Sequence, residues 1–229
     1  MYQQTLNFGW LWEALDELAR GSWVTVSLTL QAIAFGLVIA IFGAWARTTG
    51  PKWLGLIVGV YVEIIRNTPF LLQLFFFYFG LPSLGIFMEP QEAALLAMVV
   101  NLGAYATEII RAGIEAIPHG QTEAGLALGL SPLHVFLLIV LVPALQVIYP
   151  PLAGQFTMVL LGSSVTAAIS ANELTSIANQ ISSANFRTFE TYLVVTFIYL
   201  FIVFVFRGAF SIFYNLVLAR SREKKMHVL

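Results

Sequence analysis

Apolar residues run through this chain in long blocks, and charges fall mainly between the blocks. Residues 21–46 carry no charge at all. Residues 53–80 are apolar apart from Glu63 and Arg66, and residues 91–111 apart from Glu92, Glu108 and Arg111. From Ala124 to Asn172 no Asp, Glu, Lys or Arg occurs, but Pro132, Pro143, Pro150 and Pro151 punctuate the stretch. Residues 190–219 hold only Glu190 at their start and Arg207 within. A helix needs about 20 mostly apolar residues to cross the hydrocarbon of a bilayer. The pattern therefore predicts an all-α integral membrane protein with five transmembrane helices. Spans 2 and 4 are proline-interrupted, and a short cytoplasmic helix sits between spans 3 and 4. Transmembrane strands would alternate apolar and polar over about ten residues, and these blocks do not.

Composition agrees with that pattern. Hydrophobic residues make up 59% of the chain and charged residues 10%, against about 25% charged in a soluble domain. A small chain cannot hide that much apolar surface within itself. This excludes a soluble enzyme and a disordered region. Lys and Arg number 11 against 12 Asp and Glu, so no basic excess exists to neutralise phosphates, and nucleic-acid binding is excluded. With no cysteine, disulfides, thiolate zinc sites and iron–sulfur clusters are excluded too.

Three regions follow: an N-terminal interfacial amphipathic segment (1–20), a transmembrane domain (21–219) and a basic tail (220–229). In the first, Phe8, Leu11, Trp12, Leu15 and Leu18 recur at helical spacing with Glu13, Asp16 and Glu17 between them. That suits a helix lying in the interface or packed on the bundle end. It lacks the basic start and apolar run of a signal peptide. Five crossings put Arg47, Lys52, Arg111, Arg220, Arg222, Lys224 and Lys225 on one side, and Arg20 and Arg187 on the other. The cation-rich side is expected to be cytoplasmic. The N-terminus is then outside and the C-terminus cytoplasmic.

No catalytic constellation and no metal site is evident, because His119, His134 and His227 are scattered. Gly55 and Gly59 form a GxxxG that permits close helix packing. Charges within spans are functional candidates by default. Glu63 and Arg66, and Glu108 and Arg111, are three residues apart and can form local ion pairs. Read instead as a relay, Glu63, Arg66 and Glu108 would suit a small ion-coupled carrier or channel; a non-transporting scaffold is a third possibility. Thr68 and Pro69 break span 2, since proline lacks the N–H donor and disfavours helix in the residue before it. Irregular backbone at membrane depth is tolerated where it is buried in protein or lines a wet cavity. Thr68, Gln73, Asn101, Gln155, Ser163 and Ser164 are the candidate polar contacts of a translocation path. In span 4 the expected break lies at Tyr149, Pro150 and Pro151.

The connection after span 3 carries its own signals. Thr122 is a plausible N-cap, Gly129 a helix stop, and Ser131 with Pro132 a cap and first position for the next helix. Between them fits a helix of two turns, too short to stand alone.

That stretch resembles the EAA signature of ABC-importer permeases: Glu-Ala-Ala, three residues, Gly, nine residues, then Ile-x-Leu-Pro. Glu123, Ala124, Gly125 and Gly129 match its first half, with Gly in the third position, and Ile139 follows at the right spacing. The proline comes one residue late, at Pro143, which implies a register shift at the start of span 4. The run from Glu63 through Arg66, Asn67, Thr68, Pro69 and Gln73 to Pro82 is similar to the polar amino-acid branch of that family. So are Asn101, Tyr105, Glu108, Arg111, Glu173 with Leu174 and Thr175, and Phe189 to Tyr192. The resemblance covers residues 22–218. It implies a MetI-like permease core in the bacterial cytoplasmic (inner) membrane. It implies partners too: two P-loop ATPase subunits holding ATP and Mg, a second permease chain, identical or paralogous, and an extracytoplasmic amino-acid-binding protein. No cofactor would be bound by the chain itself. Glu123, Ala124, Gly125 and Gly129 would couple to the ATPase. Many members of that family carry an acidic residue or Asn near Gln155 and Lys-Asp-Thr-Ser near Ser163 and Ser164, whereas both positions are uncharged here, which favours a neutral or acidic amino acid over a cationic one.

Overall fold

The computed structural model describes residues 6–219, so the basic tail expected at 220–229 and the first five residues lie outside the described residues. Every regular element among the described residues is helical. Helix α1 (Leu11–Thr48) is continuous, so residues 11–20 of the expected amphipathic segment form its opening turns. Helix α2 (Lys52–Arg66) stops at Asn67, and α3 (Phe70–Phe75) restarts after Pro69, then widens into a π-turn (Phe76–Gly80) and tightens into a 3₁₀ turn (Leu81–Leu84). Helix α4 (Pro90–Glu115) precedes the short α5 (His119–Ala127). Next come α6 (Pro132–Val135), a π-turn (Phe136–Val140), α7 (Leu141–Gly162) and a 3₁₀ stretch (Ser163–Ile169). The last described elements are α8 (Leu174–Asn185), α9 (Thr188–Phe213) and a π-turn (Tyr214–Ala219).

Among the described residues four runs are long and apolar enough to cross a membrane: Leu11–Thr48, Pro90–Glu115, Phe136–Ile169 and Thr188–Leu216. Lys52–Arg66 and Phe70–Leu84 pass together but are bent by 108° at the break. The break expected at Thr68 and Pro69 is thus present. The break expected at Pro150 and Pro151 is not: both sit inside α7. Local packing holds the helix there. The Tyr149 hydroxyl donates to the Phe210 carbonyl at 2.5 Å, its ring stacks on Phe213, and Ile148 is buried with Ala144 and Ile117. Tertiary contact overrides the local preference of two prolines. The departure from α geometry in span 4 comes instead at both ends of α7.

The chain forms two compact units, and the division falls inside the long helices. The first holds the chain up to Ala34, Thr68–Val99 and Met158–Val205. In it Ala14 and Leu18 of α1 pack on Leu174, Ala178 and Ile181 of α8 and on Val195 of α9. Leu74 of α3 packs on Ala93, Ala94 and Ala97 of α4 and on Ile169 and Ala171. The second holds Phe35–Asn67, Val100–Thr157 and the chain from Phe206 on. There α1 and α4 touch closely. A side-chain carbon at Gly36 would meet Leu102 at 3.0 Å, and one at Gly43 would meet the Thr107 hydroxyl at 2.5 Å. Small residues let helix backbones approach in lipid, and here Gly36 and Gly43 do so. The GxxxG at Gly55 and Gly59 plays a different part: Gly55 lies against the Ala46 carbonyl, and nothing lies within 4 Å of a carbon at Gly59.

Candidate functional site

The break between α2 and α3 is built from its own side chains. The Asn67 amide closes α2 by donating to the Glu63 carbonyl at 2.8 Å and to the Glu63 carboxylate at 2.9 Å. Pro69 has no N–H and starts α3 from extended backbone. Gln73, buried on α3, donates to the Thr68 carbonyl at 3.1 Å and to the Thr68 hydroxyl at 2.9 Å. A carbonyl released by the break is thus satisfied by a side chain one turn on, as a buried polar group requires. Thr68 and Gln73, both expected in a polar path, are brought together.

Ser163 and Ser164 are consecutive on the 3₁₀ stretch. Each donates to the carbonyl three residues back at 2.7 Å, Ser163 buried and Ser164 partly exposed. Val165 and Ile169 of that stretch pack against the Leu74 cluster, so Thr68, Gln73 and the two serines belong to one packed unit. Asn101 on α4 and Gln155 on α7 are half-buried in the other unit.

The expected pair of Glu63 and Arg66 is corrected by the structure. Among the described residues no ion pair joins them. Glu63 is held by Asn67, and the Arg66 guanidinium lies over the Tyr105 ring, 5.6 Å from its centroid. Tyr105 in turn donates to the Arg66 carbonyl at 3.3 Å. The expected pair of Glu108 and Arg111 is present and larger than expected. Glu108 also takes Arg47 of α1 at 2.8 Å, and Arg111 also takes Glu115. Glu108 is therefore locked between two arginines, and the relay of Glu63, Arg66 and Glu108 that a carrier or channel would use is not supported.

Helix α5 carries Glu123, Ala124 and Gly125. It begins at His119 behind Pro118, not at Thr122. Pro118 supplies extended backbone and no side-chain cap, so the helix gains a turn over expectation. Its end is as expected: Gly129 has φ of +82°. The Gly129 amide donates to the Leu126 carbonyl, and the Leu130 amide to the Gly125 carbonyl. This paired closure is the Schellman arrangement, which uses a left-handed residue at low strain when that residue is glycine. One face is fixed within the chain: a side-chain carbon at Gly125 would meet Ile139 at 2.5 Å and Val135 at 3.1 Å. The rest is bare, with Glu123, Ala124, Leu126 and Leu128 exposed.

One polar centre escaped the residue-by-residue reading. Glu173 is fully buried and caps α8, accepting from the Ser176 amide at 2.8 Å and the Tyr199 hydroxyl at 2.7 Å. Thr25 of α1 reaches the same carboxylate at 3.4 Å and accepts from the Leu174 amide at 3.2 Å. Burial pushes the Glu173 carboxyl up from its ordinary value, and its hydrogen-bond donors pull back only part of the way. The signal available was its position as the first charge after the long uncharged run. Among the described residues no group of acidic and histidine side chains could hold a metal ion.

The family described as binding-protein-dependent transport system inner membrane component matches residues 28–222. The glutamine transport system permease protein GlnP of Escherichia coli (strain K12) is 33% identical over 228 residues, covering 98% of this chain and 100% of that one. The L-cystine transport system permease protein TcyB of Bacillus subtilis (strain 168) is 34% identical over 189 residues, 82% of this chain and 81% of its own. Among solved structures, a chain of an amino acid ABC transporter crystallised with histidines superposes with a TM-score of 0.86 at 31% identity, covering 93% of this chain and 100% of that one. A chain of the inward-facing MetNI methionine ABC transporter shares the fold at a TM-score of 0.72 and 21% identity, covering 90% and 98%.

Proposed function

The chain belongs to the family of binding-protein-dependent transport system inner membrane components, and from that premise we propose how its parts serve uptake. It is the membrane-spanning permease subunit of an amino-acid ABC importer and not an enzyme, since ATP hydrolysis resides in a separate ATPase subunit. In our reading α2 and α3 make one broken crossing, so the chain crosses five times, N-terminus outside and C-terminus cytoplasmic. Two P-loop ATPases bind on the cytoplasmic side, a second permease completes the path, and an extracytoplasmic binding protein delivers substrate.

The observation that carries the mechanism is α5. A helix of nine residues, stopped on both sides and anchored by one face on Ile139 and Val135, leaves its other face exposed among the described residues. Such a helix is marginal alone, and an ATPase surface supplies what it lacks. Glu123, Ala124, Gly125 and Gly129 are its coupling residues in this reading. Closure of the ATPases moves α5, and α5 moves the start of α7 through Ile139.

The substrate we infer is a neutral polar amino acid. The path residues Thr68, Gln73, Asn101, Gln155, Ser163 and Ser164 are all uncharged, and two relatives are named for glutamine and cystine. The test is uptake by the complex in vesicles. Uptake is expected to require ATP, to be competed by glutamine and not by arginine, and to fall at least tenfold in Glu123→Lys while ATP is still hydrolysed. Uptake that survives ATP depletion, or a fully coupled Glu123→Lys, overturns the reading.

A further inference from the structure

Between the first half of α1 and the start of α4, within the first packed unit, lies a cavity of about 330 Å³. Its walls include Trp23, Ser27 and Gln31 of α1 and Gln91, Glu92 and Leu95 of α4. That volume is within the range of small-molecule sites.

Depth sets what can reach it. Trp23 stands just after Arg20, near the start of the uncharged run 21–46, and is exposed. Tryptophan gathers at the border between headgroups and hydrocarbon. Ser27 is one turn deeper, about 6 Å, and Gln31 two turns, about 12 Å. Both helices that hold the cavity are long and apolar enough to cross a bilayer. The cavity therefore lies at the edge of one leaflet, where phospholipid headgroups give way to acyl chains.

Its polar groups are only partly answered by the chain. Gln31 donates to the Ser27 oxygen at 2.9 Å, and Glu92 accepts from the Glu89 amide at 3.0 Å. Gln31, Gln91 and Glu92 are all exposed. Among the described residues Glu92 meets no cation at ion-pair distance, whereas Glu108 on the same helix meets two. A carboxylate facing lipid without a partner is costly, so Glu92 calls for a cation. The neighbouring groups say which kind. The Glu92 carboxylate and the Gln31 and Gln91 carbonyls are acceptors, and a primary ammonium brings three N–H donors to them. A quaternary ammonium brings none. The Ser27 hydroxyl and the two amides also have N–H or O–H to give, which suits the oxygens of a phosphate. A headgroup with phosphate and no amine would leave two negative charges facing each other. Below, Trp23 and exposed Leu30 share one face of α1 by their spacing and offer apolar surface to acyl chains.

We propose that this cavity holds the headgroup of a phospholipid bearing a primary ammonium, as in phosphatidylethanolamine. The ammonium sits on Glu92, and the phosphate sits toward Ser27 and the amides of Gln31 and Gln91. The proposal needs α1 and α4 to cross a bilayer and does not depend on the importer reading.

The complex of this chain with its ATPase is reconstituted in vesicles of phosphatidylethanolamine and phosphatidylglycerol in equal parts. A parallel sample replaces phosphatidylethanolamine with phosphatidylcholine. An apolar carbodiimide joins a carboxylate to an amine in contact with it: an amide bond forms, and the carboxylate oxygen leaves on the urea. Peptide mass mapping is expected to find a lipid adduct on Glu92 in the first sample, at least fivefold above exposed Glu89, which lies outside the cavity. No adduct is expected in the second. Glu92→Gln keeps an acceptor for the Glu89 amide, so the start of α4 is preserved, and Gln31→Leu touches no backbone bond. By native mass spectrometry of the complex released from the first vesicles, each variant is expected to retain at least fivefold less phosphatidylethanolamine than the natural chain. Equal adducts on Glu89 and Glu92, no adduct on Glu92, or equal retention by the natural chain and Glu92→Gln overturns the proposal. So does a cross-link from Glu92 to a lysine of another protein chain, since a protein then fills the cavity. Retention of the ATPase in the same spectra reads the importer assignment separately: lipid lost with the ATPase retained sinks only the lipid site, and ATPase lost with lipid retained sinks only the importer reading.

Discussion

Glu173 shows how one residue can hold several helices. Its carboxylate caps α8 and gathers Thr25 from α1 and Tyr199 from α9. Replacing it with alanine removes a cap and leaves buried donors unanswered, for a loss of about 2–3 kcal/mol. Glu173→Gln keeps an acceptor and is expected to fold. The two also separate by pH. A carboxyl with a higher pKa in the folded than in the unfolded chain binds more protons when folded, so stability falls as pH rises. For Glu173 that fall begins at the ordinary carboxylate value and ends at the raised one. The thermal midpoint of the purified complex is expected to drop across that window in the natural chain and to lose that component in Glu173→Gln. An identical pH profile in both would remove Glu173 as its source. Gly113 gives a steric counterpart: an added carbon would sit 2.1 Å from Ile148, so Gly113→Ala is expected to cost about 1–3 kcal/mol. Ile148→Ala in the same chain should return part of it, read as the midpoint of the double variant against each single. Of the two pairings expected one turn apart, Glu108 with Arg111 was legible in the sequence, whereas Glu63 and Arg66 each take another partner. Arg47 with Glu108, and Thr25 with Glu173, were not, because partners on different helices leave no local spacing to read.

Elements were legible where backbone chemistry is local. Gly129 stops α5, and Pro69 breaks α2 from α3, each by the property of a single residue. Pro150 and Pro151 misled because the packing of Tyr149 and Ile148 outweighs their effect. The chain widens into a π-turn at Phe136–Val140 just before α7, and Ile139 within it packs on Gly125. The close of α5 can be tested by itself. Gly129→Val forces a branched residue into left-handed backbone, at about 1–2 kcal/mol, whereas Gly129→Asn tolerates it. Uptake is expected to fall in the valine variant and survive in the asparagine variant, with ATP hydrolysis by the ATPase present in both. Equal uptake by the two would mean the stop of α5 has no part in coupling.

At the scale of the molecule the open quantity is how the bent pair α2 and α3 sits in the bilayer, and packing in the second unit bears on it. Gly36 meets Leu102, Gly43 meets Thr107, and Arg47 meets Glu108. Residue numbers rise together along the contact, so α1 and α4 run the same way and end on the same side. The chain leaves α1 at that side and must start α4 at the other. A re-entrant loop would return α3 to the side where α1 ended and leave α4 nothing to traverse in the right direction. We therefore read the pair as one crossing, bent by 108° at the break, and that reading puts Arg47, Lys52 and Arg111 on one side. Because the chain lacks cysteine, single substitutions report sidedness directly. Lys52→Cys and Ser131→Cys are expected to react with an impermeant thiol reagent only from the cytoplasm, and Ser83→Cys and Gln180→Cys only from outside. Cytoplasmic labelling of Ser83→Cys would mean a re-entrant α2–α3.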